Sequence, residues 1–142
     1  MTGDTPAWAV ELLRTARVGR LATAGADGRP LAVPICYAWD GAHVYSAVDA
    51  KPKRTRALRR LQNIAANPEV SLVVDEYHED WTRLRYVIVE GSAEILTAGP
   101  EFARGVDLLV AKYEQYRSLG LSREAGSLVR ITPRRLLHWA WA

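Results

Sequence analysis

The residues best placed by type and spacing to bind a ligand form a basic run in the middle of the chain. Six of the ten residues from position 51 to 60 are Lys or Arg: Lys51, Lys53, Arg54, Arg56, Arg59 and Arg60. The chain has 19 basic and 16 acidic residues, so without these six it holds 13 basic against 16 acidic residues. The positive charge is therefore local. A concentrated patch of this kind suits a small polyanion better than a length of nucleic acid.

Three interpretations of this basic run are open on the residues alone: a solvated helix face, a nucleic-acid patch, or a binding site for one particular anion. Apolar residues recur through it at helical spacing, at Leu58, Leu61, Ile64 and Ala65, which predicts an amphipathic helix. Its first basic residues stand at the predicted N-terminus, where the helix dipole favours acidic side chains. That placement is favourable when an anion docks on the free N–H groups and the cationic side chains. No recognised nucleic-acid-binding motif accompanies it.

Outside the basic run, the sequence shows no arrangement of residues that could catalyse a reaction without a cofactor. His43, His78 and His138 are far apart and lack metal-ligand spacing, so no metal site is predicted. Cys36, the single cysteine, lies in a hydrophobic stretch and is interpreted as a core residue rather than a nucleophile. No P-loop, G-x-S-x-G or G-x-G-x-x-G motif is present. The catalytic residues stay unknown, and an enzyme with this sequence is expected to borrow a cofactor.

Length and composition predict one globular domain spanning residues 1–142. Hydrophobic residues make up 49% and charged residues 25% of the chain, as in ordinary soluble proteins. The first twenty residues lack the apolar core of a signal peptide, and no apolar run approaches membrane-spanning length. With one cysteine the chain suits a reducing compartment. We therefore expect a cytoplasmic protein without a membrane partner.

The alternation of apolar residues and turn signals predicts strands over 18–24, 30–39, 43–48, 69–77, 82–96, 127–131 and 136–142. Asp-Gly pairs at 27–28 and 40–41 join the first three strands by tight turns, which predicts an antiparallel meander. Pro34 interrupts the second strand, so this strand lies at an edge, contains a bulge, or faces something other than a strand. Helices are predicted from Asp4 or Thr5 to about Ala16, through the basic run to Asn67, and over 100–116.

These elements predict a mainly β protein with peripheral helices, of the α+β class. About six antiparallel strands curl into a barrel, with three helices outside it. The segments VGRLATAGADGRPLAVPICYAWDG, HVYSAVD, KPK with NIAANP, DEYHEDW and RLRYVIVEGSAEI follow one another in this order. This order resembles the pyridoxamine 5′-phosphate oxidase-like split β-barrel family, and within it the branch that uses coenzyme F420. The resemblance covers nearly the whole chain and implies the split-barrel fold known from FMN-binding proteins.

The resemblance also implies a homodimer with a flavin or deazaflavin in a groove between the subunits. The ring would lie against Val33 and Pro34, which gives a reason for a proline in that strand. Positions that match further cofactor contacts are Tyr45 and Ser46 along the cofactor, Lys51 and Lys53 at its phosphate, and Trp81 to Tyr86 from the second subunit.

One departure from the family bears on the cofactor. The FMN-using oxidases have an R-x-V-L-L-K-like pattern whose Arg and Lys contact FMN, whereas this chain reads AVPICY, with Ala32 and Tyr37 at those positions. Coenzyme F420 has a phosphodiester and an acidic tail, which an extended basic strip including Arg54 and Arg56 suits. We therefore predict an F420-dependent oxidoreductase that transfers a hydride between reduced F420 and an unidentified small organic acceptor. The alternatives are an FMN-dependent enzyme of the pyridoxamine-phosphate-oxidase type, or a non-catalytic protein that binds a flavin, deazaflavin or haem.

Overall fold

The structure is a computed structural model that describes residues 4–48 and 54–141, and only the backbone of residues 54–58. Its helices are α1 (Ala7–Thr15), α2 (Arg54–Ala66), α3 (Pro100–Lys112) and α4 (Gln115–Ser118). Its strands are β1 (Gly19–Ala24), β2 (Pro30–Ile35), β3 (Ala38–Trp39), β4 (Val44–Val48), β5 (Glu69–Glu76), β6 (Arg85–Leu96) and β7 (Ser127–Ala140). A single 3₁₀ turn, Trp81–Arg83, precedes β6. None of the described helices is long and apolar enough to cross a membrane.

The described strands form one antiparallel sheet of seven strands in the order β2-β1-β5-β6-β7-β4-β3. This confirms the predicted mainly β class, with seven strands and four helices where about six and three were expected. Strand β2 is an edge strand, which is one of the three alternatives that Pro34 left open. A proline is tolerated there because it interrupts no central ladder.

The two edge strands show that the sheet curls upon itself. Only Cys36 and Tyr37 separate the end of β2 from the start of β3, so the chain spans at most about 11 Å between them. In a flat sheet these two edges would be six strand spacings apart, or about 29 Å. The sheet must therefore bend until its edges meet, and we call this junction the seam. Across it, the Ser46 Oγ in β4 donates a hydrogen bond of 2.9 Å to the Cys36 carbonyl.

The prediction of one strand over 30–39 and of a three-stranded meander was wrong. The chain leaves the sheet after β2 because Tyr37 bonds to α1 and to the residue that follows α3 instead of to a strand. Its backbone N–H donates to the Tyr113 hydroxyl at 3.2 Å, and its own hydroxyl donates to the Leu13 carbonyl. The interpretation of Cys36 as a core residue was also wrong, since its side chain is exposed at the seam while Tyr37 is buried.

The C-terminal segments predicted as two strands form the single strand β7, which bends at a bulge. Gly91 of β6 pairs with Pro133 and Glu90 pairs with Arg135, which leaves Arg134 as the extra residue. A Cβ on Gly91 would lie 2.1 Å from the Thr132 carbonyl oxygen, so only glycine fits at this close approach. The predicted helix over 100–116 ends instead at Lys112, and α4 follows as a separate turn.

The sheet separates two hydrophobic cores. The larger core fills the inside of the curled sheet, where Leu12 and Leu13 of α1 pack with strand residues such as Leu72, Val87 and Val129. The smaller core lies under α3, where Phe102 and Leu109 pack on residues of β4 and β7. Val106 and Tyr113 also belong to this core, whereas Val110 is only partly buried.

The helix ends of α1 and α3 are joined by reciprocal contacts. The Lys112 ammonium donates to the Ala16 carbonyl at 2.7 Å, and the Arg17 guanidinium donates to the Lys112 carbonyl at 2.9 Å. Each basic side chain thus satisfies a carbonyl at the other helix's C-terminus, where the dipole favours positive charge. The Lys112 ammonium also lies 4.2 Å from the centre of the Tyr37 ring.

This helix junction predicts a pH dependence of stability. Burial, with the charge of Arg17 acting in the same direction, lowers the pKa of Lys112 from 10.5 to about 8. Between these values the unfolded chain binds more protons than the folded one, so the contribution of Lys112 to stability rises with pH. We expect wild type to gain about 1 kcal/mol relative to Lys112→Met between pH 7.5 and 9.5. Urea unfolding of both proteins measures this difference, and a difference that stays constant across that range would contradict it.

Candidate functional site

Strand β2 presents two different surfaces at the predicted ring site. Ala32 and Pro34 point outward and are exposed, whereas Val33 belongs to the larger core and is 8% exposed. A ring on this strand would therefore contact the side chain of Pro34 and only the backbone of Val33. The Ser46–Cys36 hydrogen bond holds this end of β2 against β4, so the structure brings the Pro34 region and Ser46 together.

The side chains of Tyr45 and Ser46 are occupied within the fold. Tyr45 is 0% exposed, and its hydroxyl donates to Glu101 Oε2 at 2.9 Å. Burial, reinforced by the neighbouring Glu101, raises the pKa of Tyr45 to about 12, so this phenol is neutral at neutral pH. Ser46 is also buried and bonded to the Cys36 carbonyl. Their contact with a cofactor stays a prediction, and it would have to involve backbone atoms or a rearranged side chain.

The predicted anion site lies largely outside the described residues. This holds for Lys51 and Lys53, and also for the side chains of Arg54 and Arg56. What the structure does describe is the position of α2, which begins at Arg54 only six residues after the end of β4. A helix start leaves N–H groups without intrahelical partners, and these groups suit an anion.

A buried hydrogen bond fixes α2 on the sheet. Asn63 donates from Nδ2 to the Thr23 hydroxyl of β1 at 3.0 Å, and both side chains are buried. Ile64, next in the helix, enters the larger core as the apolar pattern predicted, although Ala65 is exposed. The helix is therefore held at its C-terminal half, which sets the direction in which its N-terminus points.

The aromatic residues predicted to complete the site lie far from Pro34 in the same subunit. Pro34 pairs with Arg20, Arg20 bonds to Asp75 at 2.8 Å, and Asp75 pairs with Tyr86. These pairs span three strand spacings, or about 14 Å. Tyr86 and Trp81 are both exposed. The structure therefore does not bring the two groups together within one subunit.

The outward surface of the sheet is a feature that the sequence analysis missed. It runs across β2, β1, β5, β6 and β7, and its uncharged central residues are Pro34, Ala32, Ala22, Val73, Ile88 and Leu137. We call it the outer face. These side chains are exposed or half-buried, and none of them belongs to either core. The sequence did contain a pattern that could have predicted this face. Its strands have apolar residues at outward as well as inward positions, whereas a strand with one solvated face alternates apolar and polar residues.

Charged residues on the outer face are already paired with one another. Arg20 bonds to Asp75, Arg135 bonds to Glu90, and Arg134 bonds to Glu69. The face therefore presents an apolar centre with internally neutralised charges, which is the composition expected of a contact surface.

A curled antiparallel sheet whose two edges meet at a seam, with helices at its ends, defines the protein as a split β-barrel. The chain belongs to the pyridoxamine 5′-phosphate oxidase family, which it matches over residues 6–140. Membership of this family supports an oxidoreductase of the flavin-using type.

Individual relatives agree with this assignment. The chain is 28% identical to a 5a,11a-dehydrotetracycline/5a,11a-dehydrooxytetracycline reductase of Streptomyces rimosus, across 92% of this chain and 79% of that protein. It is similar to the crystal structure of an FAD-binding protein of Mesorhizobium loti, with 26% identity, a TM-score of 0.69 and coverage of 91% and 87% of the two chains. An F420 reductase shares the fold, with a TM-score of 0.67, 24% identity and coverage of 94% and 98%.

Proposed function

We propose that the protein is a homodimeric oxidoreductase that uses coenzyme F420 to reduce a small organic acceptor. The observation that carries this proposal is the uncharged strand β2. No residue from Pro30 to Ile35 has a charged side chain, and Tyr37 is bonded into the interior at Leu13. The two positions where the FMN-using oxidases have flavin-contacting charges are therefore an exposed alanine and a buried tyrosine.

Two parts of the chain would bind the cofactor: strand β2 would contact its ring, and the start of α2 would bind its phosphodiester. Coenzyme F420 supplies the hydride when it is bound, so the protein has to position it and exclude water. Pro34 offers an apolar surface to the ring. The start of α2, with Lys51 and Lys53, offers N–H groups and positive charge to the phosphodiester. Arg54 and Arg56, which follow in the sequence, would add positive charge for the acidic tail.

The homodimer is supported by the outer face and by the separation of Pro34 from Tyr86. A second copy packed on the outer face would cover its apolar centre. An isologous two-fold contact would also place the aromatic residues of each subunit at the partner's β2. The proposed site is therefore incomplete in one subunit.

A competition between cofactors tests the choice of F420. We expect the protein to bind F420 more tightly than FMN, because β2 lacks the charges that hold FMN. Titrations followed by cofactor fluorescence or absorbance give both dissociation constants. As a matched variant, Ala32→Arg restores one charge on the exposed side of β2. This substitution should reduce the difference between the dissociation constants for F420 and FMN. A lower dissociation constant for FMN than for F420 in wild type would overturn the choice and favour a flavin, in keeping with the FAD-binding relative.

Turnover separates an enzyme from a carrier. Purified protein with reduced F420 should oxidise the cofactor when a suitable acceptor is present, at a rate proportional to protein concentration. Tight cofactor binding without turnover across a broad set of acceptors would instead favour a protein that stores or shields the cofactor.

A further inference from the structure

A buried hydrogen bond connects the two parts of the chain that would bind the cofactor. The proposed ring surface lies on β2, which forms a hairpin with β1, and the proposed phosphodiester site lies at the start of α2. Asn63 of α2 donates from Nδ2 to the hydroxyl of Thr23 in β1 at 3.0 Å. Asn63 is 8% and Thr23 is 3% exposed. Losing one partner of such a bond is costly, because the other partner stays buried without a replacement from water.

The β1–β2 hairpin leaves room for this asparagine. Arg20, three residues before Thr23, pairs with Pro34, so the ladder fixes the position of Thr23 relative to the proposed ring surface. A Cβ on Gly25 would lie 2.8 Å from the Asn63 Oδ1. The chain after β1 therefore passes close to the amide, and a glycine at this position leaves the space that the amide needs.

Helix α2 is fixed near its C-terminus and would bind the anion at its other end. Ile64 packs in the larger core, and the Pro68 carbonyl accepts a hydrogen bond of 2.8 Å from the Ala93 N–H of β6. Asn63 lies nine positions after Arg54, the first residue of the helix, so the axis extends about 14 Å beyond the hydrogen bond. A change of about 10° in its direction would move the start of α2 by roughly 2 Å, whereas a binding site tolerates about 0.5 Å.

We propose that Asn63 is a positioning residue for the cofactor, and that its hydrogen bond to Thr23 sets the distance between the ring surface on β2 and the anion site at the start of α2. This inference rests on the proposed function for the location of the two sites. A cofactor that occupies both sites gains affinity, because binding at one site raises the effective concentration of its other end at the second site. That gain requires the distance to match. A ligand that occupies one site alone is insensitive to the distance.

The test compares F420 with its phosphate-free core. The core is 7,8-didemethyl-8-hydroxy-5-deazariboflavin, which has the ring and ribityl chain of F420 but no phosphodiester, so it would contact the ring surface alone. Thr23→Val combined with Asn63→Leu replaces the polar pair by an apolar pair and leaves neither group unpaired, so the fold should lose little stability. We expect this double variant to bind F420 about tenfold more weakly than wild type does, and to bind the core equally well. Titrations followed by cofactor fluorescence give the four dissociation constants.

Two further variants separate positioning from stability. Thr23→Ser keeps the hydroxyl that accepts the hydrogen bond, so it should keep the affinity of wild type for F420. Val106→Ala removes volume from the smaller core, away from both proposed sites. It should lower the midpoint of urea unfolding and leave the ratio of the affinities for F420 and for the core unchanged.

The outcomes distinguish this inference from the proposed function. Equal weakening of F420 and of the core in the double variant would overturn the inference, because the hydrogen bond would then only stabilise the fold. Unchanged F420 binding would overturn it too. Wild type that binds FMN but not F420 would refute the proposed cofactor, and FMN and riboflavin then replace the two deazaflavins in the same comparison. Wild type that binds none of these ligands would refute both.

Discussion

Replacing Lys51 and Lys53 together with alanine is expected to weaken F420 binding by about two orders of magnitude. Each lysine would contribute one charge-assisted contact to an anion at the start of α2, worth roughly 1.5–3 kcal/mol. Titration of wild type and the double variant with F420 measures the change. Wild-type binding should also weaken as salt increases, because part of the basic run is exposed to solvent.

The control for this experiment removes the same charge elsewhere. Arg29 and Arg117 are exposed residues far from α2 in sequence, and their double alanine variant should bind F420 as wild type does. Without cofactor, the lysine variant should be as stable as wild type or more stable by a few tenths to about 1 kcal/mol, because positive charge opposes the dipole at a helix N-terminus. A lysine double variant with wild-type affinity would show that the basic run is only a solvated helix end.

Placing a glutamate at the centre of the outer face is expected to separate the subunits. Ile88→Glu introduces a carboxylate beside Val73 and Leu137, with which Ile88 pairs across the sheet. Because the dimer has a two-fold axis, each dimer contains the substitution twice. Burying an unpaired carboxylate reduces the free energy of association by several kcal/mol. The dissociation constant of the dimer should therefore rise at least about 100-fold. Light scattering at micromolar concentration should change from twice the chain mass of 15.8 kDa to that mass.

A glutamate on a different surface provides the comparison. Leu119 is exposed after α4 and away from the outer face, so Leu119→Glu should remain dimeric. Because the proposed site needs both subunits, Ile88→Glu should also lose F420 affinity while keeping its circular dichroism spectrum. A wild-type monomer that binds F420 would contradict the shared site, and a dimeric Ile88→Glu protein would place the subunit contact elsewhere.

The fold was largely predictable because local signals decide most of it. Asp-Gly pairs mark the first two hairpins, and apolar alternation marks the long strands β5 and β6. The error at residues 30–39 has a long-range cause. Tyr37 leaves the sheet because of partners at Leu13 and Tyr113, and Tyr113 is 76 residues away. Strand periodicity contains no information about such partners. A prediction based on it therefore treated β2 and β3, which lie at opposite edges of the sheet, as one strand.

The candidate site was predictable to a smaller extent. Residue types identified the basic run and the proline in β2, but not the direction of each side chain. Val33 and Tyr45 were predicted to contact the cofactor, yet both side chains point into the hydrophobic cores. The stacking of Tyr86 on Trp139 depends on the register between β6 and β7, which the bulge at Arg134 shifts by one residue. Without that bulge in the prediction, Trp139 could not be placed opposite Tyr86.

The seam between the edge strands β2 and β3 has a consequence for how the molecule opens. Edge strands are commonly the first parts of a sheet to lose protection from hydrogen exchange. Here the two edges are tied by a two-residue link and by the Ser46–Cys36 hydrogen bond. A fluctuation that frees one edge therefore pulls on the other, so β2 and β3 should behave as one cooperative opening unit. A ligand lying across the seam would hold both edges at once, and slower amide exchange there would report its binding without any measurement of turnover.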